Sequence, residues 1–279
     1  MLFFVISNAA FAQLSRDKID KITDSLESEG KLLHHSDWAS WYGTDIFLAK
    51  CPQKRSLSGG FLSYDSGKGW TNIFFTKGDD PTVLATIAFG YDYDKNNYQL
   101  DTLARQFTPT ERELFTIRHT ALNTAEKDTV FKFYKNTDMN PIPIIINGEK
   151  RVYILTGTQE NNVVIFGNDY LIRFNPDNSI SNIKRLHKNI ISLATNDTSA
   201  VATVHTHLPE TGDFITATDI CTLMGYEHFT HWQSHYVLSK NYISIWDCKK
   251  DELVILTMDA WNRIIKDHAE RNKQDPPKK

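Results

Sequence analysis

The stretch Val204-His205-Thr206-His207-Leu208-Pro209-Glu210-Thr211-Gly212-Asp213-Phe214-Ile215-Thr216-Ala217-Thr218-Asp219 holds the residue types of a metal site at a spacing that can bring them together. Side chains at i and i+2 of a strand share a face, so His205 and His207 aim two imidazoles at one point. The strand then breaks at a loop containing Pro209 and Gly212, and Thr216 opens a helix with Asp219 in its first turn. From there an aspartate can face back across the loop as a third, oxygen ligand. Three protein ligands leave the fourth tetrahedral position of a zinc ion to water, which is the catalytic arrangement. The bland alternatives use the same residues. Thr216 and Asp219 also satisfy a Thr-x-x-Asp capping box, and a His-x-His pair alone suits a half-buried strand.

The combination of His-x-His, a loop and Thr-x-x-Asp resembles the signature of the JAMM (MPN) metallopeptidase family, His-x-His-Pro followed by Ser-x-x-Asp. A cupin also offers His-x-His, but with a glutamate four or five residues on and then another strand. Here Glu210 comes three residues after His207 and a helix follows. Leu208 stands where the JAMM family has proline, with Pro209 one place late; the loop is one residue longer than the common spacing, and Thr216 replaces serine. The likeness spans roughly residues 108–265 and is strong from Val204 onward. It implies a zinc-bound water as nucleophile, Thr216 as hydrogen-bond donor to the oxyanion, and a glutamate as general base. Two glutamates offer themselves for that role, Glu149 and Glu160. Glu149 is preferred because it opens the strand Arg151 to Leu155 after the Asn147-Gly148 turn and so has a fixed direction. The implied reaction is hydrolysis of a peptide or isopeptide bond in a peptide or protein substrate. The rival expectation is a non-catalytic binding or assembly protein that keeps a JAMM-like fold around a degenerate site, marked by the loss of a usable glutamate.

The elements that must position these residues read as an α+β chain. Ser15 to about Tyr42 has helical spacing of Ile19, Ile22, Leu26 and Leu33. Gly59 to Tyr98 breaks into short β-runs separated by turn residues, an antiparallel meander. The acidic turn Asp92 to Asn97 lacks the glycine and glutamate of a calcium loop and reads as a polar turn. Thr108-Pro109-Thr110-Glu111 is a helix start with capping threonine, proline at the first position and glutamate at the third. Asn147-Gly148 joins Ile142–Ile146 to Arg151–Leu155 as a hairpin, and Gly167-Asn168-Asp169 reads as another tight turn, between Val163–Phe166 and Tyr170–Phe174. Ala200 to Val204 is a small-apolar run expected as a buried central strand. A helix from Thr216, three strands between His235 and Leu256 and a last helix from Asp259 complete a JAMM-like domain with a central mixed sheet flanked by helices.

These boundaries divide the chain into residues 1–12, 13–105, 106–271 and a disordered tail, 272–279. The first twelve are expected to be a signal peptide, from the apolar run Leu2–Ile6 and the small-x-small Ala10-Phe11-Ala12, although no Lys or Arg precedes the run. Export to the periplasm or the outside follows from that expectation. Thirty-one basic against 34 acidic residues leave a net charge of −3, without the basic excess of a nucleic-acid binder. No apolar run reaches the ~18 residues of a membrane span. The three cysteines, Cys51, Cys221 and Cys248, are too few and too scattered for a disulfide framework or a zinc knuckle. His228, His231 and His235 read as surface histidines, and Trp232, Trp246 and Trp261 as packing residues. N-terminal sequencing of protein from its native host should begin at Gln13; an intact Met1 on cytoplasmic material would overturn both cleavage and export.

Overall fold

The computed structural model describes residues 14–274, so the expected signal peptide and residues 275–279 of the expected tail lie outside it. The last helix runs through Gln274, past the Arg271 at which the tail was expected to start.

Helix α1 (Arg16–Lys50) is the spine. Its 35 residues, at about 1.5 Å each, span roughly 52 Å. It outruns the expected end at Tyr42 because Phe47 is also apolar and finds a core. Pro52 then stops it, with Cys51 already outside helical geometry. Along its length α1 enters three separate cores. Ile19 packs with Trp246, Leu253 and Ile255; Leu33 with Ile142, Tyr153 and Cys221; Ala39 and Phe47 with Trp70, Phe74 and Ile87.

Strands β1 (Ser58–Asp65), β2 (Trp70–Thr76), β3 (Val83–Phe89) and β4 (Tyr98–Asp101) form the antiparallel meander in chain order. Helix α2 (Pro109–Ala125) begins with the full capping box, Thr108 and Glu111 each bonding the other's backbone N–H. Strands β5 (Thr137–Ile146) and β6 (Glu149–Thr158) make the hairpin, with Asn147 at φ 51° and Gly148 at φ 80°, the left-handed pair that a tight hairpin turn needs. Meander, α2 and hairpin sheet share one core through Ile73, Phe75, Leu114, Ile117, Val152 and Ile172. The division at residue 105 therefore separates elements that bury their apolar faces together.

Two expectations fail here. Strands β7 (Val163–Gly167) and β8 (Tyr170–Phe174) do not pair across Gly167-Asn168-Asp169. Instead β8 joins β6 and β9 (Ile180–Arg185), while β7 pairs antiparallel with β10 (Ile190–Ala194). Asn168 and Asp169 are buried, so their polar groups are spent inside the protein: Asn168 Nδ2 donates to the Lys132 carbonyl and to Thr156 Oγ1. Strand β11 (Ala202–Thr206) is an edge strand, not a central one. It lies parallel to β12 (Ser234–Leu238), which leads antiparallel to β13 (Tyr242–Asp247) and β14 (Glu252–Thr257). Val201 and Val204 are about half exposed, which a strand buried on both faces would not allow. Helices α3 (Ala217–Tyr226) and α4 (Met258–Gln274) flank this mixed sheet. No helix among the described residues is long and apolar enough to cross a membrane, and the three cysteines are buried and free.

Helix α1 meets α3 through Gly30, where an added Cβ would fall 2.5 Å from the Ile220 side chain and 3.2 Å from the Ala217 carbonyl. In an exposed helix Gly→Ala stabilises by about 1 kcal/mol. At this contact the overpacking cost of ~1–3 kcal/mol should win. Gly30→Ala is expected to lower stability in urea unfolding; a stabilised variant would show that the two helices are not in contact there.

Candidate metal centre

His205 lies on β11 and His207 one residue past its end, where its N–H still donates to Leu238 O at 2.8 Å and so keeps the strand direction. Both imidazoles are buried on one face, while Val204 and Thr206 between and before them are exposed on the other. Asp219 comes from the first turn of α3. Thr216 caps that helix: its Oγ1 accepts from Asp219 N at 3.1 Å and donates to Asp219 Oδ2 at 2.8 Å, and Thr216 N donates to the same oxygen at 2.9 Å. The capping box is thus real, and it fixes the carboxylate that faces the histidines. It also commits the Thr216 hydroxyl proton to Asp219 rather than to an incoming oxyanion.

A fourth residue completes the group. His187, in the connection between β9 and β10, puts Nε2 3.1 Å from His207 Nε2 and 3.5 Å from Asp219 Oδ2. His205 Nε2 lies 3.0 Å from His207 Nε2 and 3.9 Å from Asp219 Oδ1; His207 Nε2 lies 3.7 Å from Asp219 Oδ2. One ligand atom from each of the four buried residues falls within 4.8 Å of every other. It is the only such group of three or more among the described residues. The group can hold a metal ion.

Gly167 is what admits His187. At φ 92° it has no Cβ; one built there would meet Asn189 O at 2.3 Å and His187 Cβ at 3.2 Å. The backbone of the His187 segment therefore closes onto the end of β7, where Asn168 N donates to Asn189 O and Leu186 N to Asp169 O. Behind His187, Asp169 Oδ2 approaches Nδ1 at 3.4 Å, and Asp169 Oδ1 accepts from Thr156 N at 3.1 Å. Behind His205, Nδ1 meets His235 Nε2 at 2.8 Å, and His235 Nδ1 meets Thr203 Oγ1 at 2.7 Å, with Phe166 stacked on His235. Outer partners of this kind fix the tautomer and ring angle of metal-ligating histidines.

The electrostatics suit a cation. Burial pushes the Asp219 carboxyl up, but His187, His205 and His207 outweigh it and hold it well below the usual carboxylate range. Burial lowers His205, and lowers His207 to about 4 and His235 to about 3, so these imidazoles are neutral near pH 7, and His205 and His207 can each offer an Nε2 lone pair to a ligand. Burial also disfavours charge on His187, but Asp219 and then Asp169 override it and raise it to about 10. Without a metal, His187 is the positive charge that Asp219 needs. Even so, Asp219 Oδ1 and His207 Nδ1 remain buried with no hydrogen-bond partner in the described protein, at a cost of about 1–3 kcal/mol each or more for a charged group.

The structure therefore brings His205, His207 and Asp219 together, with Thr216 beside them. It does not bring Glu149 or Glu160. Glu149 opens β6 in the hairpin register opposite Ile146, exposed and bonded to Arg151. The site-facing end of β6 is Thr156, about 23 Å further along the strand at ~3.3 Å per residue. Glu160 is exposed before β7, accepting from Asn136 Nδ2 at 2.6 Å, whereas the centre sits at the other end of that strand. His187 and Asp169 are not among the residues expected from the sequence, and His235 belongs behind this centre and not on the surface. His187 sits in Arg185-Leu186-His187-Lys188-Asn189 with no second ligand at strand or helix spacing to mark it.

No protein-family model, curated protein or solved structure matches this chain.

Removing an outer partner of a metal ligand typically lowers affinity by about 10–100-fold. His235→Gln should therefore weaken binding of a metal ion by that factor in a competition titration while still saturating at one equivalent. Unchanged affinity would mean that His205 is held without His235.

Proposed function

We propose that His187, His205, His207 and Asp219 form a zinc centre closed by four protein ligands, and that the chain is a zinc-stabilised binding protein. One observation carries this. At the Zn–N distance of about 2.0–2.1 Å, the ligand atoms of a tetrahedral site lie roughly 3.3–3.4 Å apart. Five of the six pairs, each taken to its nearer Asp219 oxygen where Asp219 is one partner, lie 3.0, 3.1, 3.5, 3.7 and 3.9 Å apart, on either side of that value, and His187 and His205 complete a group whose ligand atoms all fall within 4.8 Å of one another. Imidazole nitrogen with one carboxylate oxygen is a donor set for zinc rather than for calcium or magnesium, which take oxygen. Four protein ligands are the mark of a structural centre. This one ties together β11, α3 and the β9–β10 connection, three segments that share no hairpin.

The second reading is a zinc hydrolase of peptide or isopeptide bonds in the manner of the JAMM family. It is favoured by the His-x-His pair and the Thr216–Asp219 arrangement on the same strand–loop–helix frame. That reading needs His187 to yield its place to water and needs a general base other than Glu149 or Glu160.

Elemental analysis after mild dialysis should find one zinc per chain, falling below about a tenth in His207→Ala. Chelation should lower the melting temperature, since a ligand at a thousand times its Kd contributes about 4 kcal/mol. The zinc protein should neither cleave isopeptide-linked substrates nor bind a hydroxamate. Hydroxamate binding by the unmodified protein would favour the hydrolase instead, and absence of zinc after remetallation would remove both readings.

A further inference from the structure

A second site lies at the opposite end of α3 from Asp219. There the end of α3 and the middle of α1 leave a cavity of about 260 Å³, close to the lower bound of about 300 Å³ for small-molecule pockets. Its wall is built of aromatic rings. Trp38 meets Tyr42 and Tyr93 edge-on at 5.1 and 5.6 Å, and Trp41 stacks on Phe229 at 6.2 Å. Trp41 is 48% exposed and Phe229 66%, so the core does not absorb these two rings.

The polar groups of the cavity are three carboxyls, Asp37, Glu227 and Asp251, and three imidazoles, His34, His35 and His228. No lysine or arginine lines it. Asp37 accepts from Asn140 Nδ2 at 2.7 Å, and Glu227 accepts a 3.5 Å bond from Trp246 Nε1. Glu227 and Asp251 both line the cavity, and like charges set close together disfavour joint ionisation. Burial, and then the Asp251 charge, accordingly push Glu227 up to about 8. His34 and His35 supply no compensating charge: burial lowers them to about 3 and about 4. His34 also borders the cavity and is half-buried. Aromatic faces attract cations through the ring quadrupole. Carboxyls and rings thus surround one space, at whose edge Lys95 Nζ already lies 5.2 Å from the centre of the Tyr42 ring.

We propose that this cavity binds a small organic cation, an ammonium or guanidinium compound, with the aromatic rings around its body and Glu227 and Asp251 on its charged head. A bare divalent metal fits poorly, since hard cations need six or more oxygen ligands and would leave the rings without contact. The proposal does not depend on the zinc centre, which shares none of these residues.

The full chain, with its zinc content recorded, is titrated calorimetrically and by tryptophan fluorescence with butylammonium and with agmatine. Butanol and butyrate serve as the neutral and anionic counterparts. Both cations are expected to bind saturably and at least about tenfold more tightly than butanol, a factor equal to about 1.4 kcal/mol. Asp251→Asn and Trp41→Ala should each weaken cation binding by about tenfold or more. Asp251 sits at φ 55°, a conformation that asparagine adopts readily, and Trp41 is half exposed, so both variants should keep their melting temperature. Butanol binding as tightly as butylammonium would overturn the proposal. So would no saturable binding of either cation, or unchanged cation affinity in both folded variants.

Discussion

A fully buried carboxylate surrounded by three imidazoles is the constraint on which the rest of this structure turns. Asp219 has one oxygen held by the Thr216 cap and the other without a hydrogen-bond partner. Burying such a charge is expensive unless something positive stands beside it. His187 can do so by holding a proton, and a metal ion does so better, since it also takes the three Nε2 lone pairs that otherwise crowd one another. The same four side chains are therefore either a proton-sharing cluster or a site that can hold a metal ion, and it is the second that we propose.

Holding that group together asks something of nearly every element. Parallel pairing of β11 with β12 sets His205 against His235, and Phe166 at the end of β7 packs on that pair. Gly167 lets the His187 segment close, and Asp169 backs it from the start of β8. Helix α3 is held in turn by α1 through Gly30, and α1 runs on into the meander core through Ala39 and Phe47. The N-terminal helix is thus part of the scaffold of the centre rather than an appended unit.

What was legible in the sequence is what is local. His205 and His207 share a strand face, Thr216 and Asp219 share a helix turn, and Thr108–Glu111 and Asn147-Gly148 each dictate their own geometry within four residues. The α+β class follows from such signals added together. Tertiary decisions were not legible. The polar segment Gly167-Asn168-Asp169 reads as a tight turn, but Asn168 and Asp169 are buried and β7 and β8 go to different partners. The run Ala200–Val204 has the composition of a central strand, yet only tertiary pairing shows that no described strand lies on its far side. His187 joins the centre from a connection with no periodicity, and Glu149, well placed along the chain, is carried to the wrong end of its strand.

X-ray absorption at the zinc edge of the loaded protein tests the closed centre most directly. Four protein ligands are expected, three of them imidazole, with the imidazole scattering reduced by a third in His187→Ala. Two imidazoles in the unmodified protein, unchanged by that substitution, would contradict the assignment of His187 and reopen the fourth position to water.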